Sequence, residues 1–355
     1  MPARIAVDAM GGDHAPDVVA AGAVQAARDA SEAFDLVLVG REAEVRACLA
    51  EHDTDGLSVH VADAPETIGM DESPAAALKG KPGSSIHKGI GMLKAGAADG
   101  FASAGNTGAV MAASTFILGR LPGVLRPALP SFFPTVDGMS ITVDVGANVD
   151  VRSDFLVQFA QMGRVFAQHA LDTADPSVAL INVGEEPGKG TEAVKEAYAA
   201  LQQAGDAGQM RFIGNIEGRD VFHHAADVIV ADGFVGNVML KMGESFSTIL
   251  PLLVRREVER QGIGAEGVEA IGRVLRGIAE IYNYENYGGV PLLGVDGTVF
   301  IGHGGSTARA IASMVTGTAD FVRRGVTADI ARAISGAPDP APGAPAPADS
   351  PPADA

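Results

Sequence analysis

Phe101-Ala102-Ser103-Ala104-Gly105-Asn106-Thr107-Gly108-Ala109 opens as a short apolar run, breaks at a Gly-rich turn and enters the helix-like stretch Ala109–Leu118. A compact run of small apolar residues suits a strand buried on both faces. A helix that starts at such a turn leaves N–H groups unpaired and carries partial positive charge at its first turn. The same order recurs along the chain. Arg4–Asp8 leads into Met10-Gly11-Gly12-Asp13, Leu36–Val39 into Gly40, Ile141–Val145 into Gly146-Ala147-Asn148, and Val178–Val183 into Gly184. Val228–Ala231 leads into Asp232-Gly233, and Val299–Ile301 into Gly302-His303-Gly304-Gly305. Strands alternating with helices predict an α/β fold with a mostly parallel sheet and helices on both faces. Ligands in such folds bind beyond the carboxyl ends of the strands, where these turns fall. The recurrence has no fixed period, which excludes a solenoid.

Bulk properties narrow the class. The chain has 355 residues, 47% of them hydrophobic, with no Trp, so its core rests on Val, Ile, Leu and Ala. Residues 1–335 read as a single α/β catalytic domain. A formal charge of −18 argues against nucleic-acid binding and against general attraction to anionic lipid. The lone cysteine, Cys48, excludes an intrachain disulfide. It sits in the probable helix Arg41–Glu51 and reads as a structural thiol rather than a nucleophile. No signal peptide precedes the first strand. The apolar part of Gly100–Gly119 is too short to span a bilayer. The chain therefore reads as cytoplasmic.

Two segments differ from the repeating pattern. Residues 244–282 predict two long helices around Gly262-Ile263-Gly264, a projecting hairpin, with Pro251 expected to kink or interrupt the first. Phe246, Ile249, Leu250, Leu253, Val254 and Val258 fall near helical spacing, and Arg255, Arg256, Arg260, Arg273 and Arg276 line the pair. Ordinary packing or a dimer interface is the plainer use of such a surface. Residues 336–355 are Pro, Ala and Asp rich and predict a disordered tail.

Several turns carry candidate chemistry. At Ser103–Ala109, Gly105 and Gly108 let an anion approach the backbone, while Asn106 and Thr107 add donors; the alternative is a tight turn with Asn or Thr as helix cap. His303-Gly304-Gly305-Ser306-Thr307 is a second such joint, an anion cradle or an oxyanion hole. His303 either orients phosphate, moves a proton, or merely caps the turn. Ser306 lacks the downstream Gly of a serine-hydrolase elbow. Gly184–Thr191 fails the Walker A spacing, with three residues between the glycines and Gly190 after Lys189. No G-x-G-x-x-G sits at a strand–helix joint, so nucleotides lose favour, yet Lys189 still suits a small anion. Asn237 and Lys241, four apart after Asp232-Gly233, share a helix face that starts at the strand edge. Asp144, Asn148, Asp150 and Asp154 form an oxygen-rich stretch that more often caps helices than holds Mg²⁺, and no metal is assigned. No cofactor is expected.

Together these blocks resemble the bacterial phosphate acyltransferase family of phospholipid synthesis. The resemblance rests on Ile5-Ala6-Val7-Asp8-Ala9-Met10-Gly11-Gly12-Asp13-His14-Ala15-Pro16, the Ser103–Ala109 turn, Asp144–Asn148, Asn182–Gly190, Asp232–Lys241 and Leu292–Ser306. It implies transfer of an acyl group from acyl–acyl carrier protein to inorganic phosphate, and a fold similar to phosphate acetyltransferases and isocitrate dehydrogenase-like enzymes. It further implies a homodimer, peripheral contact at the inner face of the membrane, and a downstream acyltransferase that uses the acyl phosphate. Position and chemistry single out Asn106, Lys189, Asn237, Lys241 and His303 for catalysis, with Gly105, Thr107, Gly108, Gly304 and Ser306 for phosphate. Asp8, Gly11, Gly12, Asp13, His14, Asn148 and Asp232 are further active-site candidates. Leu253, Arg255, Arg256 and Arg260 are the candidates for carrier-protein or membrane contact. The competing readings are a phosphate acetyltransferase using coenzyme A, an isocitrate-type dehydrogenase, and a non-catalytic membrane-associated scaffold.

Overall fold

A computed structural model describes residues 2–336. The expected disordered tail, beyond Gly336, lies outside the described residues. The first half runs β1 (Arg4–Asp8), α1 (Asp17–Asp29), β2 (Asp35–Gly40), α2 (Glu42–Leu49), β3 (Val59–Asp63), α3 (Pro74–Gly80), α4 (Ser85–Lys94), β4 (Gly100–Ser103) and α5 (Thr107–Ala113). Helix α5 ends in a wider turn of π type, Ser114–Leu118. There follow β5 (Pro130–Thr135), β6 (Gly138–Val143), α6 (Ser153–Ala170), β7 (Ser177–Ile181), α7 (Glu192–Asp206), β8 (Arg211–Ile216) and β9 (Val228–Val230). The chain ends with α8 (Gly233–Gln261), α9 (Ala265–Ile281), β10 (Gly289–Pro291), β11 (Thr298–Gly302), α10 (Ala308–Arg323) and α11 (Val326–Ser335).

The strands divide between two sheets rather than forming one. A six-stranded sheet has the order β10-β11-β4-β1-β2-β3 and a five-stranded sheet the order β5-β6-β9-β7-β8. Pairing is parallel except for β10 with β11 and β5 with β6. All seven strands expected from apolar runs are present, and none is a sheet edge. The four edges, β10, β3, β5 and β8, carry Gly, Pro, Arg or alternating polar residues that break an apolar run.

One core joins the two sheets: Ile5, Val7 and Leu36 of the first share a buried cluster with Ile141, Val143 and Val178 of the second. Ile5, Leu36, Leu38, Ile141 and Leu180 are at most 1% exposed, and each such side chain contributes about 1.5–3 kcal/mol by leaving water. Helices α1 and α10 pack together over the first sheet, while α6 covers the second and meets α11.

The hairpin after β9 starts earlier than its apolar spacing indicated. Helix α8 begins at Gly233 and continues through Pro251 to Gln261, so Pro251 does not end it. The turn falls at Gly262-Ile263-Gly264, as expected. Helix α9 has no buried residue, and Ile249, Leu252, Leu253, Val268 and Val274 are exposed. The pair thus projects from the α/β body with much of its apolar surface uncovered.

Candidate active site

Two turns at the carboxyl edge of the first sheet are locked by one buried carboxylate, and a third is tied to them through the backbone. Asp8, the last residue of β1, accepts a hydrogen bond from Ser103 Oγ at 2.7 Å and from the Met10 N–H at 3.1 Å. Ser103 Oγ in turn accepts from the Gly105 N–H at 3.0 Å. Burial pushes the Asp8 carboxyl above its ordinary value, against hydrogen bonds from Ser85, Ser103, Met10 and Gly11. A Cβ on Gly11 would stand 2.4 Å from Asp8 Oδ2 and 2.7 Å from Gly105 N, so only glycine permits this closeness. The third turn joins through the Asp13 N–H, which donates to Gly304 O at 2.8 Å.

The Asn106 side chain, expected to offer an anion donor, is occupied within the protein. Its Oδ1 accepts the Ala109 N–H at 3.0 Å and caps α5, while Nδ2 donates to the carbonyls of Gly69, Met70 and Glu72 at 3.1, 2.9 and 3.0 Å. Its amide is fully occupied in pinning the 69–72 loop, and the exposed donor at this turn is its neighbour Thr107. Ser306 is similar: it is buried, and its Oγ donates to His303 O at 2.6 Å. His303 is exposed. Its Nδ1 accepts the Gly305 N–H at 3.2 Å, which assigns the proton of the neutral ring to Nε2. Tyr284 lies beside it, with ring centroids 6.0 Å apart and its hydroxyl donating to Gly305 O at 3.3 Å.

The second sheet supplies a matching edge. Asp144, just beyond β6, accepts the N–H groups of Leu129 at 2.9 Å, Ala147 at 3.2 Å and Asn148 at 2.6 Å. The Asn148 side chain donates to Asp144 Oδ2 at 3.1 Å and to Pro127 O at 2.8 Å. Burial raises the Asp144 pKa, opposed by these hydrogen bonds. Asp144 and Asn148 therefore brace a loop, and Asp154 pairs with Arg152 at 2.6 Å, so the oxygen-rich stretch does not converge on one point. No group of three or more His, Cys, Asp or Glu is placed to hold a metal among the described residues. Asp232 caps α8 through the Val235 N–H at 2.8 Å. Asn237 and Lys241 follow on that helix, Lys241 paired with Glu244 at 2.8 Å.

Between these edges lies a cleft of about 690 Å³. Thr107, His303 and Gly305 line it from the first sheet; Gly146, Asn237 and Lys241 line it from the second. Gly105, Gly108, Gly304, Asn148 and Asp232 build its supporting turns without lining it, as do Asp8, Gly11, Gly12, Asp13 and His14. Lys189 is not among the lining residues either; it is exposed, 3.9 Å from Glu186. Cys48 lies apart, its thiol 2.8 Å from Asp17 Oδ1, and burial first, then that carboxylate, push it up to about 11. The sequence reading missed the aromatic wall of Phe132, Phe133, Tyr282, Tyr284 and Tyr287. A signal existed, because three of the four tyrosines in the chain fall within residues 282–287.

The fold and the cleft define an α/β protein with polar donors and an aromatic wall lining one cleft between two sheet edges. Residues 3–329 match the family model described as fatty acid synthesis protein. The chain is 50% identical over 313 residues to a phosphate acyltransferase of Salinibacter ruber, covering 88% of this chain and 92% of that one. It is 42% identical to the phosphate acyltransferase of Chlorobaculum parvum, covering 93% and 98%. Among solved structures, the EutD phosphotransacetylase of Staphylococcus aureus shares the fold with a TM-score of 0.58 at 17% identity, covering 90% of this chain and 94% of that one. A phosphotransacetylase of Streptococcus pyogenes gives the same TM-score at 16% identity, covering 91% and 94%. The chain belongs to the phosphate acyltransferase family and is an acyltransferase.

Proposed function

We propose that this enzyme transfers a fatty acyl group from acyl–acyl carrier protein to inorganic phosphate, giving acyl phosphate for phospholipid synthesis. The observation that carries the reading is the convergence of Thr107, His303, Asn237 and Lys241 on one cleft with an apolar wall. The relatives are phosphate acyltransferases by name, which makes phosphate the acceptor.

The chemistry needs little beyond positioning. Inorganic phosphate near neutral pH is already anionic, a mixture of mono- and dianion, so an attacking oxygen is available without a dedicated base. A phosphate oxygen attacks the thioester carbonyl carbon, and the C=O electron pair moves to oxygen. Collapse breaks the C–S bond, and the proton of hydrogen phosphate ends on the carrier thiol. A free thiol has a pKa of about 8.5, so its thiolate leaves readily. Lys241 and Thr107 hold the phosphate, while Asn237 and the His303 Nε2–H donate to the developing oxyanion or the leaving sulfur. No residue of the enzyme is acylated on this route.

The hairpin supplies the partner surface. Arg255, Arg256 and Arg260 are exposed there on a chain of charge −18; Arg255 pairs with Glu259 and Arg260 with Glu257, so the fit to an acidic carrier protein rests first on Arg256, with the two pairs able to re-form on an acidic partner. The uncovered apolar residues around Leu253 fit a second copy of the chain, in a homodimer, or peripheral membrane contact at the inner face. No helix among the described residues is long and apolar enough to cross a membrane. Acyl phosphate is a reactive mixed anhydride, which suits consumption by a downstream acyltransferase.

Thiol release from acyl–acyl carrier protein by purified enzyme, with and without phosphate, tests the proposal. Release that depends on phosphate is expected. Equal release without phosphate would overturn it, and a marked preference for acyl-coenzyme A would favour the phosphate acetyltransferase-like alternative.

A further inference from the structure

A second pocket of about 510 Å³ lies behind the cleft, against α6 and α10. Both volumes fall in the roughly 300–1,000 Å³ range of small-molecule sites. Phe132, Tyr287 and Gly289 line the cleft and this pocket alike. A single stacked pair therefore divides the two: the Phe132 and Tyr287 rings are 4.1 Å apart and inclined by 18°. Beyond Phe132 the aromatic surface continues, to Phe166 at 5.7 Å, Phe321 at 6.2 Å further, and Phe300 at 5.5 Å.

The partition is weakly tethered. Phe132 is on β5 and Gly289 on β10, edge strands of different sheets, so no ladder of backbone hydrogen bonds closes the seam. Among the described residues the Tyr287 hydroxyl has only the Met139 sulfur as partner, at 3.8 Å, a weak acceptor. The pocket also makes no demand for an anion. Its Arg309 is paired with Glu280 at 2.8 Å, and its Arg324 with Asp172 at 3.2 Å.

Resting on the acyl-transfer reading above, we propose that this aromatic pocket is the acyl-chain chamber of the enzyme. The chain enters from the cleft by displacing the Phe132–Tyr287 pair, and the room beyond it sets the chain-length preference. The aromatic wall of Phe132, Phe166, Phe300 and Phe321 suits a methylene chain, beside a polar margin of Asp29, His169, Asn286 and Asp320, and the shared wall leaves its thioester end towards the cleft that Thr107, His303 and Lys241 line.

Thr316 lines the chamber on α10 and does not line the cleft. Thr316→Phe fills space beyond the partition. The readout is the ratio of kcat/KM for palmitoyl over octanoyl carrier protein, with melting temperature measured alongside. We expect the ratio to fall about a hundredfold, the worth of roughly four methylenes kept in water. If the native enzyme transfers neither chain to phosphate, the acyl-transfer reading itself falls. If it transfers both and the ratio in a folded variant stays within about threefold of native, the chamber alone is overturned. A palmitoyl donor with a diazirine at its methyl end gives a second reading on the unaltered protein. Crosslinks to Phe166, Phe300 or Phe321 support the chamber; crosslinks confined to α8 and α9 refute it.

Discussion

Gly236→Ala isolates the part played by helix α8. A Cβ there would lie 2.0 Å from Asp144 O and 3.0 Å from the Asp144 carbonyl carbon. The carbonyl cannot yield easily, because the Asp144 carboxylate is held by the Leu129, Ala147 and Asn148 N–H groups. Ordinary contact distances therefore require the start of α8 to retreat by roughly 1 Å or more. Overpacking of this kind costs about 1–3 kcal/mol, partly offset by the ~1 kcal/mol that alanine gains over glycine in a helix. The catalytic effect is larger, since Asn237 and Lys241 ride on the displaced turns. A misplacement of about 1 Å lowers rate roughly a hundredfold. Initial rates of phosphate-dependent thiol release give kcat/KM, with thermal unfolding as the measure of fold. Gly91→Ala, in α4, is the control: its Cβ meets nothing within 4 Å, so stability should rise by up to ~1 kcal/mol with unchanged kcat/KM. A folded Gly236→Ala enzyme within about threefold of native would refute the placement of α8 as the source of these groups.

Three further perturbations address separate claims. Lys241→Met keeps the stem and removes the charge; it should lower kcat/KM for phosphate about 10–100-fold, the worth of a charge-assisted hydrogen bond, and a flat response would remove Lys241 from the phosphate site. With its thiol pushed up to about 11, Cys48 should react with iodoacetamide about a hundredfold slower in the native protein than after unfolding; near-equal rates would contradict its environment. Burial acts to raise the Asp227 pKa, but hydrogen bonds from the Ser177 hydroxyl and N–H, both at 2.7 Å, and the nearby His224 bring it below its ordinary 3.8. Its stabilisation is thus present above 3.8 and lost as pH falls through the lower folded value. Asp227→Asn should cost about 1–3 kcal/mol at neutral pH in urea unfolding, shrinking in acid, and a pH-independent cost would contradict this.

The strands that the sequence announces are the interior ones. A strand flanked on both sides and covered by helices is apolar along its length, as Val178–Ile181 and Val228–Val230 are. Edge strands escape that demand: β5 contains Pro130 and Pro134, and β10 is Gly289-Val290-Pro291. Without the edges, the division into two sheets was invisible, and with it the cleft between them. The Gly-rich turns were legible because close approach needs glycine, as at Gly11. Which donors remain free was not legible. Asn106 is occupied by carbonyls 34 to 37 residues away in the chain, a contact that no local pattern records. Thr107, with less hydrogen-bonding capacity, is the residue left facing the cleft. Pro251 does not interrupt α8, because a helix of 29 residues can carry one missing hydrogen bond.

Direct attack by phosphate is the central claim, and a rapid-quench experiment with acyl–acyl carrier protein labelled in the acyl group addresses it most directly. With phosphate present, label should pass from carrier protein to acyl phosphate, with none bound to the enzyme at any time point. Without phosphate, label should stay on the carrier. Stoichiometric label on the enzyme, formed without phosphate and discharged when phosphate is added, would contradict the account.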